Sequence, residues 1–391
     1  SSYPREKAGL ALALWGMTTL VAPVVGPLLG GWITDHIHWP WIFYINVPVG
    51  LVAAAMTWAI YKPRETAVRK LPIDGVGLAL LVLWVGALQL MLDKGKELDW
   101  FASSTILALA VVAGLGLLVF VAWELTDAHP VVDLRLFAGR NFSFGVISLS
   151  LAYGLFFGNV VLLPLWLQLW MGYTATAAGL ALAPVGFLAI LFTPLVGRKV
   201  SQWDPRVMAS AAFVGFAAVL WTRSQFTPQT DLLHIILPTI AQGAAMAFFF
   251  IPLTTLTLAG QPPQRMPSAA GLSNFVRISA GAMGTSIATT LWESRAVLHR
   301  AHLVETLDRP GAPLAQTLAN LQAAGLDDAQ ALASVERLIA QQAYTRAADD
   351  IFLASAWIFM ALIVSIWFTA RPPRLGPTGA PASRAAADAA H

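Results

Sequence analysis

Residue Arg277 stands about ten residues, roughly 15 Å along a helix, inside an otherwise apolar run, where an ionised group is costly unless it performs a task. Asn274 lies one turn before it, and Ala270, Gly281, Gly284 and Ala288 continue the same stripe at spacings of three and four. Such a stripe should face protein or a water-filled path, so Asn274 and Arg277 are candidates for a substrate or coupling path. Asn159, Gln168 and Gln242 are the other amides deep in apolar runs and join that candidate path. Tyr153, Phe156, Phe157, Phe248, Phe249 and Phe250 accompany them and could wall a cavity for amphipathic molecules.

Moving a proton across a membrane requires a carboxylate that gains and loses it as access alternates. No Asp or Glu lies in the middle of an apolar run; Asp35, Asp74, Glu124, Asp127 and Glu293 fall near run ends. Asp74 opens a helix, where capping is the first expectation and coupling a weak second. No GxxxxGK[ST] phosphate loop occurs, which excludes nucleotide-driven pumping. The histidine pairs His36/His38 and His299/His302 have no evident third ligand, so neither a metal site, a cofactor nor a catalytic constellation is expected.

The elements that must position these groups are helices in lipid. Of 391 residues, 57% are hydrophobic and only 12% charged, with mean hydropathy +0.66, against roughly 25% charged in soluble domains. There is no cysteine, hence no disulfide or thiolate site. The net charge of +3 is not gathered into a stretch that could track nucleic acid. Apolar windows read against Pro, Gly and charge predict ten spans: 8–34, 41–61, 73–92, 104–125, 142–167, 177–197, 206–223, 234–258, 268–292 and 350–370.

Lys and Arg gather on one set of loops, among them Arg5, Lys7, Lys62, Arg64, Arg69, Lys70, Arg198, Lys199, Arg206 and Arg371. The opposite short loops hold Lys94, Lys96 and Arg223. The positive-inside rule then predicts cytoplasmic placement for both ends of the chain. The long polar stretch 293–349 is expected outside the membrane as two amphipathic pieces, divided near Pro310-Gly311 and Gly325 and capped by Asp327 or Asp328. Residues 371–391 read as a disordered cytoplasmic tail.

One run carries more than composition. Gly26, Pro27, Gly30 and Gly31 sit in Ala22-Pro23-Val24-Val25-Gly26-Pro27-Leu28-Leu29-Gly30-Gly31, which predicts a kinked helix closely packed on a neighbour. Followed by Trp39-Pro40-Trp41 and Asn46-Val47-Pro48, this GPxxGG run resembles the antiporter motif of the major facilitator superfamily. Pro72-Ile73-Asp74, Trp123-Glu124-Leu125, Pro252-Leu253-Thr254-Thr255 and Leu272-Ser273-Asn274-Phe275-Val276-Arg277 extend the likeness over all but the C-terminal tail. The chain is similar to drug:proton antiporters of the fourteen-helix EmrB/QacA branch. Gly197-Arg198-Lys199 through Arg206 resembles a degenerate copy of that family's loop signature, or serves equally as a charge anchor.

The resemblance implies an all-α integral membrane protein with a major-facilitator helical bundle. It divides the chain into the remainder of an N-terminal bundle (1–61), two linker helices with cytoplasmic loops (62–141), a six-helix bundle (142–370) with periplasmic insertion 293–349, and the tail (371–391). It also implies that four N-terminal helices, with the family's first-helix Asp, lie outside this chain. The implied function is proton-coupled multidrug efflux of hydrophobic or amphipathic compounds. The alternatives are a transport-incompetent fragment and an exporter dedicated to one metabolite or fatty acid. Implied partners are lipophilic substrates, protons, membrane lipids, a periplasmic adaptor and an outer-membrane channel, but no nucleic acid.

Overall fold

A computed structural model describes residues 25–62, 74–200, 202–262, 264–307 and 314–371. All regular structure in them is helical. Helix α1 covers 25–36, and α2 (Trp41–Tyr44) leads directly into α3 (Asn46–Tyr61). The pair α4 (Gly75–Lys94) and α5 (Ser104–Thr126) follows. Then come α6 (Arg140–Leu169), α7 (Ala175–Leu182), α8 (Val185–Lys199), α9 (Pro205–Arg223), α10 (Leu232–Ala247) and α11 (Phe250–Leu258). The last three are α12 (Met266–Leu307), α13 (Leu314–Ala323) and α14 (Asp328–Trp367).

Local chemistry sets the starts. Asp74, Thr174, Asp204, Asp231 and Asp327 each accept a backbone N–H of the following first turn, the usual service of a short oxygen-bearing side chain at a helix N-terminus. Asp327 and Gln330 complete a reciprocal capping box. Two apolar stretches are broken within themselves, at Ala183-Pro184 between α7 and α8 and at Phe248-Phe249 between α10 and α11. Each still makes a single membrane-length segment.

The helix count corrects the expectation of ten spans. Among the described residues, eight helical segments are long and apolar enough to cross a membrane: Trp41–Ile60, Gly75–Lys94, Ser104–Thr126, Arg140–Leu169, Ala175–Gly197, Pro205–Arg223, Leu232–Leu258 and Asp328–Trp367. The predicted span 268–292 is helical within α12, but Ser273, Asn274, Arg277, Ser286 and Thr289 dilute its apolar character. The predicted span 8–34 lies largely outside the described residues, and α1 alone is too short.

The core sits among α6 to α11 and α14. Phe216 is its centre, stacked on Phe359 with ring centroids 5.1 Å apart and edge-on to Phe249 at 5.5 Å and to Phe156 at 5.8 Å. Helices α6 and α12 cross with backbones almost touching: a Cβ on Gly154 would stand 2.8 Å from the Ala280 carbonyl oxygen, and one on Gly158 2.9 Å from that of Gly284. The α4–α5 pair docks on α12 through Asp93 and Ser286, with Gln89 Nε2 donating to Asp93 at 2.9 Å, and through a Lys96–Glu293 ion pair.

Within the long polar stretch, α12 extends to Leu307, α13 covers Leu314–Ala323, and α14 starts at Asp328 behind its Asp327 cap. Arg300 donates to Glu336 at 2.5 Å, and Trp292 Nε1 donates to the Tyr344 carbonyl at 2.8 Å. Gly325, at φ +95°, ends the turn after α13.

Candidate functional site

The glycine-proline run of α1 meets α7. A Cβ on Gly31 would lie 2.5 Å from the Ala175 carbonyl oxygen, and one on Gly179 would lie 2.5 Å from the Pro27 carbonyl oxygen. The two helices therefore touch through main chain, which only glycine permits at these points. Gly26 and Gly30 have no such neighbour within 4 Å. At the end of α1 the Asp35 carboxylate accepts the Thr176 N–H at 2.7 Å, while Thr174 caps the same first turn of α7 through Ala177. Hydrogen bonding from Thr176 holds the Asp35 carboxyl below the usual carboxylate range.

Behind this contact, Pro27, Phe156, Val160, Thr239, Gln242 and Met246 enclose a cavity of about 30 Å³. Gln242 is buried there and accepts from the Arg223 guanidinium at 2.7 Å, and Thr239 accepts from the same nitrogen at 3.1 Å. Arg223, expected in a short outer loop, is instead the last residue of α9 and only 1% exposed. The signal lay in its position, directly after Val219-Leu220-Trp221-Thr222 at the end of an apolar run, with amide and hydroxyl acceptors on the next helix.

The Arg277 guanidinium donates to Asn274 Oδ1 at 2.6 Å. It lies over the Tyr153 ring, 4.8 Å from its centroid, and 5.8 Å from that of Phe250. Its Nε is buried without a partner, and among the described residues no carboxylate pairs with it. Aromatic faces are a modest counterpart for a cation, so this group retains the capacity to hold an anionic or acceptor group. Phe156 and Phe249, like Phe250, belong to the packed core, and Tyr153 packs against it.

Asn159 is 3% exposed. Its amide nitrogen donates to the Leu155 carbonyl at 2.7 Å and to Ser355 Oγ on α14 at 3.1 Å. Gln168 is exposed and donates to the Pro164 carbonyl at 3.2 Å, apart from the other amides. Asp74 caps α4 through the Gly77 N–H at 2.8 Å and also accepts from Trp123 Nε1 at 3.0 Å. Beside it Glu124, 1% exposed, accepts the Val132 N–H at 2.9 Å, a buried carboxylate that its place near a run end concealed. The structure thus joins Asn274 to Arg277, Gln242 to Arg223 and Asn159 to Ser355, while Gln168 and Asp74 stand elsewhere.

Comparison with known proteins adds four findings. The family described as Major Facilitator Superfamily matches residues 1–285. Fatty acid resistance protein FarB of Neisseria gonorrhoeae is 45% identical over 373 residues, covering 95% of this chain and 73% of that protein. Multidrug export protein EmrB of Escherichia coli K12 is 47% identical over 375 residues, with the same two coverages. Among solved structures, a bacterial homolog of the human lysosomal transporter Spinster, inward-facing and unoccupied, covers 92% of this chain and 85% of its own at 13% identity and a TM-score of 0.41.

Proposed function

This chain belongs to the major facilitator superfamily, a transporter family rather than a catalytic one, and from that premise we propose that it is a proton-coupled exporter of hydrophobic or amphipathic compounds in the bacterial inner membrane. The carrying observation is the 45% and 47% identity, over 95% of the chain, to proteins named for fatty acid resistance and multidrug export. Arg277, with no carboxylate partner among the described residues, over Tyr153 and beside Asn274, supports the substrate class, since lipophilic molecules with an acceptor or anionic group fit it. The α1–α7 contact, close enough for main chain to meet main chain at Gly31 and Gly179, is the element on which alternating access would turn. The fourteen-helix drug:proton antiporter branch is the finer assignment within the family.

Transport by the chain reconstituted in proteoliposomes tests this. A lipophilic fluorescent dye should be moved when a proton gradient is imposed and should stop moving when an ionophore collapses it. Dye movement indifferent to the gradient would sink the reading. The identity to the fatty acid resistance protein favours, as a second reading, an exporter dedicated to fatty acids. Competition decides between them: unrelated lipophilic drugs inhibit fatty acid transport in a multidrug pump and leave a dedicated one unaffected.

Orientation follows from charge. Arg140 donates to the Phe368 carbonyl at 2.5 Å, Arg206 to the Thr369 carbonyl at 3.3 Å, and Arg371 pairs with Asp204, gathering cations at the end of the bundle where α6 and α9 begin and α14 finishes. That end is cytoplasmic by the positive-inside rule. The projecting parts of α12 and α14, with Val304, Leu332 and Leu338 exposed, are then periplasmic and form the docking surface for an adaptor that leads to an outer-membrane channel. Deleting 305–345 should abolish adaptor pulldown and leave membrane insertion intact; unchanged pulldown rejects the docking assignment.

A further inference from the structure

A second groove lies on the far side of the α6–α12 crossing, between α6, α12 and α14, with a volume of about 530 Å³. Its walls include Leu151, Met283, Ile287, Leu291 and Ile358, and its mouth is formed by Arg295 and Asp350. From Ala280 to Arg295 the groove follows α12 for about 22 Å, more than the ~15 Å hydrocarbon depth of one leaflet. Leu151, Ile287 and Leu291 are exposed, so the groove opens sideways.

Two polar atoms in this apolar wall lack a hydrogen-bond partner among the described residues. Asn159 spends its amide nitrogen on the Leu155 carbonyl, which only accepts, and this fixes the orientation of the amide. Its Oδ1 is buried in the groove wall with no donor, and so is Ser150 Oγ, on a residue 6% exposed. A buried acceptor without a donor is left desolvated and unpaired, so an occupant bearing a hydroxyl or N–H at this depth gains where a plain hydrocarbon does not. At the mouth, Asp350 is engaged by His299 Nε2 at 2.8 Å, while Arg295 reaches Asp350 only at 3.8 Å and keeps its donors for another group. Asp350 precedes Ser355, the Asn159 partner, by a helical advance of about 7.5 Å.

We propose that this groove binds an elongated exported amphiphile, taken from or released to the periplasmic leaflet, with an anionic head at Arg295, an apolar body along α6 and α12, and a hydrogen-bond donor near Asn159. The assignment rests on the export reading and deepens it by giving the substrate class and a place where it meets the bilayer.

Equilibrium binding to the full chain in lipid nanodiscs tests it, with radiolabelled octadecanoate and its analogue hydroxylated near the seventh carbon as probes. The hydroxylated probe should bind about tenfold more tightly, the value of one satisfied buried acceptor. Asn159→Leu should erase that preference, Arg295→Gln should weaken both probes, and Ile287→Trp, an exposed change that fills the groove, should block both without touching Asn159. Equal binding of the two probes, a preference that survives Asn159→Leu, or binding that Ile287→Trp leaves intact overturns the proposal, as does a copurified phospholipid that neither probe displaces. The predicted binding pattern in a chain that moves no dye upholds the groove and rejects only the export reading.

Discussion

Arg223 on α9 donates to Gln242 on α10 at 2.7 Å, and both are buried where α10 lies behind the Pro27 carbonyl. A cation at a helix end has thereby become part of the interior, held by amide and hydroxyl oxygens with no carboxylate among its described hydrogen-bond partners.

Removing one side of that pair should be worse than removing both. Gln242→Leu leaves a buried charge short of an acceptor and should cost about 1.5–3 kcal/mol. Adding Arg223→Met should restore most of the loss, because a matched apolar pair carries no desolvation penalty. Thermal unfolding of the single and double variants in detergent micelles reads the difference.

Gly179→Val should separate α1 from α7, since any Cβ there meets the Pro27 carbonyl oxygen at 2.5 Å. Gly26→Ala should be tolerated, having nothing within 4 Å. Dye transport and melting temperature of the two variants should diverge accordingly, and equal loss in both would place the motif's role elsewhere.

The Asp35–Thr176 bond should be insensitive to pH through the neutral range. Hydrogen bonding holds the Asp35 pKa below its ordinary value, so the bond contributes fully above about pH 4 and is lost as pH falls through the depressed value. Hydrogen exchange at the Thr176 amide, followed from pH 7 downward with exchange chemistry corrected, should stay protected until that point. In Asp35→Ala it should be fast throughout.

Arg277→Lys should reduce transport nearly as much as Arg277→Gln, about tenfold or more, because a point-charge ammonium does not reproduce a planar guanidinium over Tyr153 while bonded to Asn274. Initial rates in proteoliposomes measure it. Full activity in the lysine variant would mean that charge alone matters.

Asp74→Ala should lower stability by about 1 kcal/mol through loss of the α4 cap and leave proton coupling intact, and Asp74→Ser should recover much of it. Loss of coupling in a well-folded Asp74→Ser would instead make this carboxylate a proton carrier.

Much of the architecture was legible in the chain because lipid leaves few options. Long apolar runs in a chain that is 12% charged must close their backbone bonds internally, hence helices, and short polar oxygens at Asp204, Asp231 and Asp327 mark their starts. The run from Gly26 to Gly31 announced close packing. The count of spans was misread at 268–292 because helical length and apolar composition were taken together there, while Asn274, Arg277 and the serines and threonines break the second without touching the first.

What periodicity determines is which residues share a helix face; it does not say which faces meet. Only the tertiary structure decided that Gly31 rather than Gly26 touches α7, that Arg223 turns inward to Gln242, and that Asn159 shares Ser355 across the α6–α14 contact while leaving one acceptor unmet. The physical reason is that a polar group's burial and pairing depend on what another helix, distant in sequence, presents to it, and the free energy of that pairing is absent from any single helix.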